Sequence, residues 1–200
     1  MSRPDELASL IRGLSDSDSG KRDRAAAEIF RLGTSLARAA VSKWHDDPEL
    51  MQLLILGASN FPETTVGLAV NREHFRSIRA ANGSPRLAAV PPDQDAEEFE
   101  LHFAEGVRLD VLTTRDPLAS GAIARYLAKF GEGIQQIELL TRSVDRCTKI
   151  LRERFALEPI YPHTRAGADG TRVNFFLAST AEGARVLIEL VESASGTAPA

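Results

Sequence analysis

Apolar residues recur at helical spacing from the start of the chain. Leu7, Leu10, Ile11 and Leu14 fall at i, i+3, i+4 and i+7 and make one stripe. Ser15–Gly20 is a break rich in turn and cap residues. A second helix is predicted over Lys21–Leu32, with Ala26, Ile29 and Phe30 inward and Gly33 as its stop. Thr34 or Ser35 can cap a third through Leu36, Ala40 and Trp44. Asp47-Pro48 opens a fourth apolar segment, Leu50–Leu56.

After an expected linker at Gly57–Glu63, the period changes from helical to β-like. Thr64–Val70 reads as a strand, and Asn71 caps a helix that ends at Asn82-Gly83. Arg86–Val90, Phe99–Ala104 and Val107–Thr113 are predicted strands, the last two joined at Glu105-Gly106. Asp116–Phe130 is predicted as a connecting helix. The first order then returns: strand Ile134–Leu140, helix Ser143–Arg154, strand Leu157–Tyr161, a loop at Ala166–Gly170, and strands Arg172–Leu177 and Arg185–Val191. Two strand–helix–three-strand (βαβββ) patterns about 70 residues apart exceed any solenoid period and predict one curved sheet with a cleft. The expected fold is α+β: modules 64–115 and 133–192 form a half-open eight-stranded cup. An all-α appendage over residues 1–57 precedes it and a tail, 193–200, follows.

Composition changes this picture little. The 24 basic residues stand against 28 acidic ones, for a net charge of −4. That excludes nucleic acid and anionic membrane as general partners. A single cysteine, Cys147, excludes an intrachain disulfide framework. No apolar run has the form of a signal peptide or reaches membrane-spanning length, so a cytoplasmic protein is expected.

The order helix, polar break, Arg22-x-x-Ala25-Ala26 through Leu32-Gly33, helix resembles HEAT-type repeats. Such repeats need neighbours to cover their apolar faces. These helices are expected to pack on their own downstream domain or a dimer mate, with docking of a protein partner as the alternative.

From Thr64 to Glu192 the chain resembles the vicinal oxygen chelate (glyoxalase and bleomycin-resistance) superfamily, and within it the methylmalonyl-CoA epimerase family. The residues that carry this are Val66-Gly-Leu-Ala-Val70, Ala124-x-Tyr126-Leu-Ala-Lys-x-Gly131-Glu-Gly-Ile134, Gly170-Thr-Arg-Val-Asn-Phe175 and Val186-Leu-Ile-Glu-Leu-Val-Glu192. The resemblance implies a small-molecule substrate, an acyl-CoA in particular. It also implies a divalent metal that stabilises an enolate, and two carboxylates that move the α-proton on either side.

Residue by residue, the resemblance places the two usual metal-binding histidines at Thr65 and Gln136. Asp110 and Glu189 take the positions of the acidic ligands. Glu100 and Glu189 become the opposed acid and base. Thr65, Asp110, Gln136 and Glu189 form an all-oxygen set, which suits Mg, Mn or Ca (Co in the family's habit) or no ion at all. Glu63, in phase with Thr65, is a substitute ligand. His102, in phase with Glu100, is a substrate-binding, ligand or base candidate. Structural alternatives stand beside these: a salt bridge from Glu189 to Arg172 or Arg108, a structural bond at Asp110, and a satisfied sheet amide at Gln136. The expected function leans to an isomerase, an epimerase or racemase of an acyl-CoA. The alternative is a non-catalytic glyoxalase-fold protein that binds a small molecule or a protein.

Overall fold

The computed structural model describes residues 4–57, 60–116 and 121–193. The chain divides into two compact units: residues 1–33 with 65–135, and residues 34–64 with 136–200. The first 57 residues are thus shared out between the two units. The expected tail lies outside the described residues from position 194 onward, as do 117–120 within the expected connecting helix and 58–59 in the expected linker.

The N-terminal stripes fold as helices α1 (Pro4–Gly13), α2 (Ser19–Ala40) and α3 (Pro48–Leu53). Gly33 does not end α2, which runs on for 22 residues in all. The stripe Ala26, Ile29, Gly33, Ala37 continues at helical spacing through it and is buried. That burial outweighs the roughly 1 kcal/mol disadvantage of glycine inside a helix. Ile11, Leu14, Ala26 and Ile29 are fully covered within the chain, so these side chains offer no free docking face.

In the first unit, strand β1 (Thr64–Ala69) precedes helix α4 (Arg72–Ala81), then β2 (Glu97–His102) and β3 (Arg108–Thr113). The strand order is β2-β3-β1, with β1 parallel and β2 antiparallel to β3. Asn71 caps α4 by accepting the His74 N–H at 2.9 Å. Phe75 and Ile78 are buried, and Phe75 meets Phe99 edge-on with ring centroids 4.8 Å apart. Helix α5 (Ala122–Phe130) brings Ile123 against Ala69, Ala96 and Leu112. Asn82 ties the α1 end to this module by donating to the Leu14 carbonyl at 2.9 Å.

The second unit repeats the order with β4 (Gly133–Leu140), α6 (Val144–Phe155), β5 (Arg165–Ala166), β6 (Arg172–Ser179) and β7 (Arg185–Glu192). Here the strand order is β4-β7-β6-β5, with β4 parallel to β7 and the other pairs antiparallel. Val144, Cys147, Ile150 and Leu151 form the inward face of α6. Arg154 bonds Asp47 at 2.7 Å and Glu49 at 2.5 Å, which fastens α3 to α6.

The α+β class and the two repeated modules agree with expectation, but the described residues form seven strands where eight were expected. Arg86–Val90 forms no strand, although the Ala88 N–H donates to the Glu98 carbonyl of β2 at 3.0 Å. Pro85, Pro91 and Pro92 flank it, and proline has no N–H for a ladder. Leu157–Tyr161 is reduced to one bridge between Pro159 and Phe176. The pairing strand is instead the short β5, where a loop was expected. Among the described residues no helix is long and apolar enough to cross a membrane.

Candidate functional site

Strand alternation sorts the candidate residues onto faces. In the first unit, Asp110 on β3 is in register with Glu100 on β2 and with Gly67 on β1. Thr65, two residues before Gly67, shares that face, as does His102, two after Glu100. The unit therefore gathers Thr65, Glu100, His102 and Asp110 on one side of its sheet. Thr65 and Asp110 are buried. Glu100 and His102 are half-exposed and paired, with His102 Nε2 2.9 Å from Glu100 Oε2. Glu100 and Asp110 thus form a directly opposed acidic cross-strand pair. Such a pair carries repulsion that a nearby cation or donor reduces, and His102 supplies a donor on the Glu100 side.

In the second unit, Glu138 on β4 is in register with Glu189 on β7, and Phe175 on β6 is in register with Glu189. Gln136 therefore shares a face with both carboxylates. It is buried, as is Glu189. Its Nε2 donates to Glu189 Oε2 at 2.6 Å and, more weakly, to Glu138 Oε1 at 3.3 Å. A buried carboxylate is costly without a donor, and Gln136 supplies a short charge-assisted one. The expected alternative of an Arg172–Glu189 salt bridge is not formed by Arg172. That guanidinium bonds Asp145 at 2.6 Å and Glu192 at 3.1 and 3.2 Å.

Glu138 was missed in the sequence, although Gln136-x-Glu138 on a strand puts the two side chains on one face. Aromatic neighbours were missed too. Tyr161 meets the Phe175 ring edge-on at 5.9 Å. The Arg165 guanidinium lies 4.4 Å above the Tyr161 ring, a cation–π contact that holds the side chain at this edge. No periodicity announces them, because Tyr161 sits in irregular chain and Arg165 in a strand of only two residues. Asn174 fixes this segment by donating to the Tyr161 carbonyl at 3.3 Å.

His74 is partly buried, with Nδ1 2.8 Å from Glu132 Oε2. Glu132 also accepts the Asn71 N–H at 2.8 Å, so this pair pins the start of α4. Cys147 is not a nucleophile candidate. Burial pushes its thiol up to about 11, and Thr141 Oγ1 lies 3.0 Å from its sulfur.

The Gln136–Glu189 geometry tests the metal that the resemblance implies. Two ligands of one hard ion turn oxygens towards it. Here Gln136 turns its amide nitrogen to the carboxylate at hydrogen-bond distance, and a carboxamide N–H is a donor, not a ligand. The pair as arranged does not fit a resident metal ion. Among the described residues no group of three or more His, Cys, Asp or Glu side chains is disposed to hold one.

These two modules, each a strand and helix followed by antiparallel strands with acidic residues on one face of its sheet, define the class: a tandem-module α+β protein built from a βαββ and a βαβββ unit. Comparisons with known proteins sharpen this. No family model matches the chain, and no curated protein matches it. Solved structures do. The chain is similar to methylmalonyl-CoA epimerase from Mycobacterium tuberculosis, with 29% identity over 66% of this chain and 87% of that one, at a TM-score of 0.54. A methylmalonyl-CoA epimerase in complex with methylmalonyl-CoA and NH4+ matches at 24% identity, 68% and 96% coverage and a TM-score of 0.54. A Streptomyces coelicolor epimerase variant in complex with 2-nitronate-propionyl-CoA matches at 24%, 74% and 99%, with a TM-score of 0.56. The fold is that of the methylmalonyl-CoA epimerases.

Proposed function

We propose that this protein binds an acyl-CoA or a similar small carbonyl compound and does not carry out metal-assisted epimerisation. The observation that carries this reading is the commitment of the Gln136 amide to Glu189 at 2.6 Å. Enolate formation needs an electrophile beside the carbonyl oxygen. The Gln136 N–H groups face two carboxylates and are turned away from such a role. Two acidic side chains in register beside a developing enolate oppose its charge. Support for a thioester ligand comes from the fold, since the neighbouring structures hold methylmalonyl-CoA and 2-nitronate-propionyl-CoA. The aromatic residues Tyr161 and Phe175, with Arg165 over the first, suit an amphipathic anion.

A second reading keeps the epimerase. It is favoured by the His102–Glu100 pair at 2.9 Å, a geometry suited to proton transfer, and by the survival of Glu189. In that reading Glu100 and Glu189 exchange the α-proton, with Thr65, Asp110, Gln136 and Glu189 rearranged about an ion.

One experiment separates the two. Propionyl-CoA and methylmalonyl-CoA are titrated calorimetrically into the purified protein. Metal content is measured, and solvent deuterium at the α-carbon is followed by mass spectrometry. Saturable binding without exchange, with or without added Mg, Mn or Co, is the expected result. Exchange that disappears in both Glu189→Gln and Glu100→Gln establishes the enzyme instead. Absence of binding by either thioester ends the acyl-CoA reading.

A further inference from the structure

The reverse side of the first unit's sheet carries a separate pocket. Alternation on β2 turns Glu97, Phe99 and Leu101 away from Glu100 and His102. Helix α4 covers that reverse face through the Phe75–Phe99 contact. Arg72, Arg76 and Arg79 lie on α4 at i, i+4 and i+7, hence on one side of the helix. With Ser84, Leu87 and Glu97 they line a cavity of about 300 Å³, the lower end of small-molecule site sizes.

The pocket holds more positive charge than its own carboxylate offsets. Glu97 meets Arg72 at 3.2 and 3.3 Å, long for a charge-assisted pair. Arg79 spends its Nε on the Pro85 carbonyl at 2.7 Å. That bond orients the planar fork and leaves its terminal nitrogens without an acceptor among the described residues. Arg76 is exposed and has no acceptor among the described residues. The chain as a whole is acidic, at −4, so this basicity is local.

The end of the helix closes in a tight reversal. Gly83 and Ser84 are both left-handed, at φ 80 and 54, and the Ser84 N–H returns to the Arg79 carbonyl at 2.9 Å. A serine in that conformation is disfavoured against glycine by about 1 kcal/mol, and Ser84 lines the pocket. Leu87, 39% exposed, supplies apolar surface.

We propose that this pocket binds a small dianion on a short apolar body, a phosphomonoester in chemical class. The phosphoryl oxygens meet Arg76 and Arg79, as planar guanidinium forks suit them, and the apolar body lies on Leu87. The site is independent of the acyl-thioester reading, because it lies on the opposite sheet face from Glu100 and Asp110.

The test is calorimetric titration of phenyl phosphate and of inorganic phosphate into the full chain at low salt. Phenyl phosphate is expected to bind saturably and more tightly than inorganic phosphate. Arg76→Gln is expected to weaken it about tenfold, the scale of one charged hydrogen bond. Glu97→Gln, which releases Arg72, is expected to tighten it. Arg152→Gln makes the same charge change on α6 and is expected to have no effect. Circular dichroism confirms that the variants fold, and Arg76→Lys, a point charge without the fork, serves if Arg76→Gln does not. The proposal is overturned by absence of saturable binding, by equal weakening in Arg152→Gln, or by weaker binding in Glu97→Gln.

Discussion

One amide group bridges two glutamates on the second module. Gln136 stands between Glu189 and Glu138 and donates to both. Truncation to alanine removes the short donor from a buried carboxylate and leaves two in-register acids facing each other. Gln136→Ala is expected to lose about 1.5–3 kcal/mol, the scale of one hydrogen bond to a charged group. Urea unfolding at neutral pH measures it, and an unchanged midpoint refutes the idea that the bond holds Glu189. Combined with Glu189→Ala, the loss is expected to be smaller than the sum of the single losses, because the two side chains act as a pair. A second residue-scale expectation concerns Cys147, whose thiol is raised to about 11 by burial. At pH 8 almost none of it is thiolate, so a thiol-specific chromogenic disulfide is expected to label it only after unfolding. Rapid native labelling contradicts that burial. At this scale the sequence was partly legible. Gln136 and Glu189 were visible as site candidates, but their mutual bond was not, since it joins positions 53 residues apart and depends on strand register.

Helix ends and helix–helix ties set the element scale. Helix α6 stops at Ala156, which is left-handed with φ 51 and ψ 34. Glycine adopts that conformation without a Cβ clash. Ala156→Gly is therefore expected to raise stability by roughly 0.5–1 kcal/mol despite its greater unfolded-state entropy; thermal unfolding reads the change, and a lower midpoint argues against strain there. Asp47 does two jobs. It caps α3 by accepting the Leu50 N–H at 2.9 Å, and it pairs with Arg154. Its carboxyl is held below the usual carboxylate range, first by that backbone N–H and then by Arg154. A carboxyl lowered in the folded state gives stability that is present above its unfolded pKa. That stability is lost as the pH falls through the folded value, below about pH 4. Asp47→Asn keeps the cap acceptor but not the charge, so its stability is expected to vary less over that acid window than the parent's. An identical acid profile in parent and variant removes Asp47 from acid unfolding. Helices α4 and α6 were legible because Asn71 and Ser143 announce their starts. The expected strands Arg86–Val90 and Leu157–Tyr161 failed where prolines flank or interrupt them. A short β-branched or apolar composition could not outweigh the missing N–H groups.

The whole molecule is where period and packing part company. The repeat of strand, helix and strands was readable from alternation alone, and with it the α+β class. The role of the first 57 residues was not, because an amphipathic stripe shows that a face must be covered without showing by what. In the first unit α1 comes to the module through Leu14 and Asn82. In the second unit α3 comes to it through Thr141, whose hydroxyl donates to the Leu53 carbonyl at 2.9 Å, and through Arg154. Ile11, Leu14, Ile29 and Leu50 are all fully buried. Burial of each such side chain is worth about 1.5–3 kcal/mol, so four together approach the roughly 5–15 kcal/mol that holds a whole domain. A chain that begins at Asn60 loses these side chains and wets the surface they cover. It is expected to unfold without a cooperative transition near that of the full chain, or to associate through the bared surface. Calorimetry and light scattering of the two chains decide it. A truncated protein that is monomeric and melts at the full-length midpoint makes the N-terminal helices a true appendage, as their sequence alone suggested.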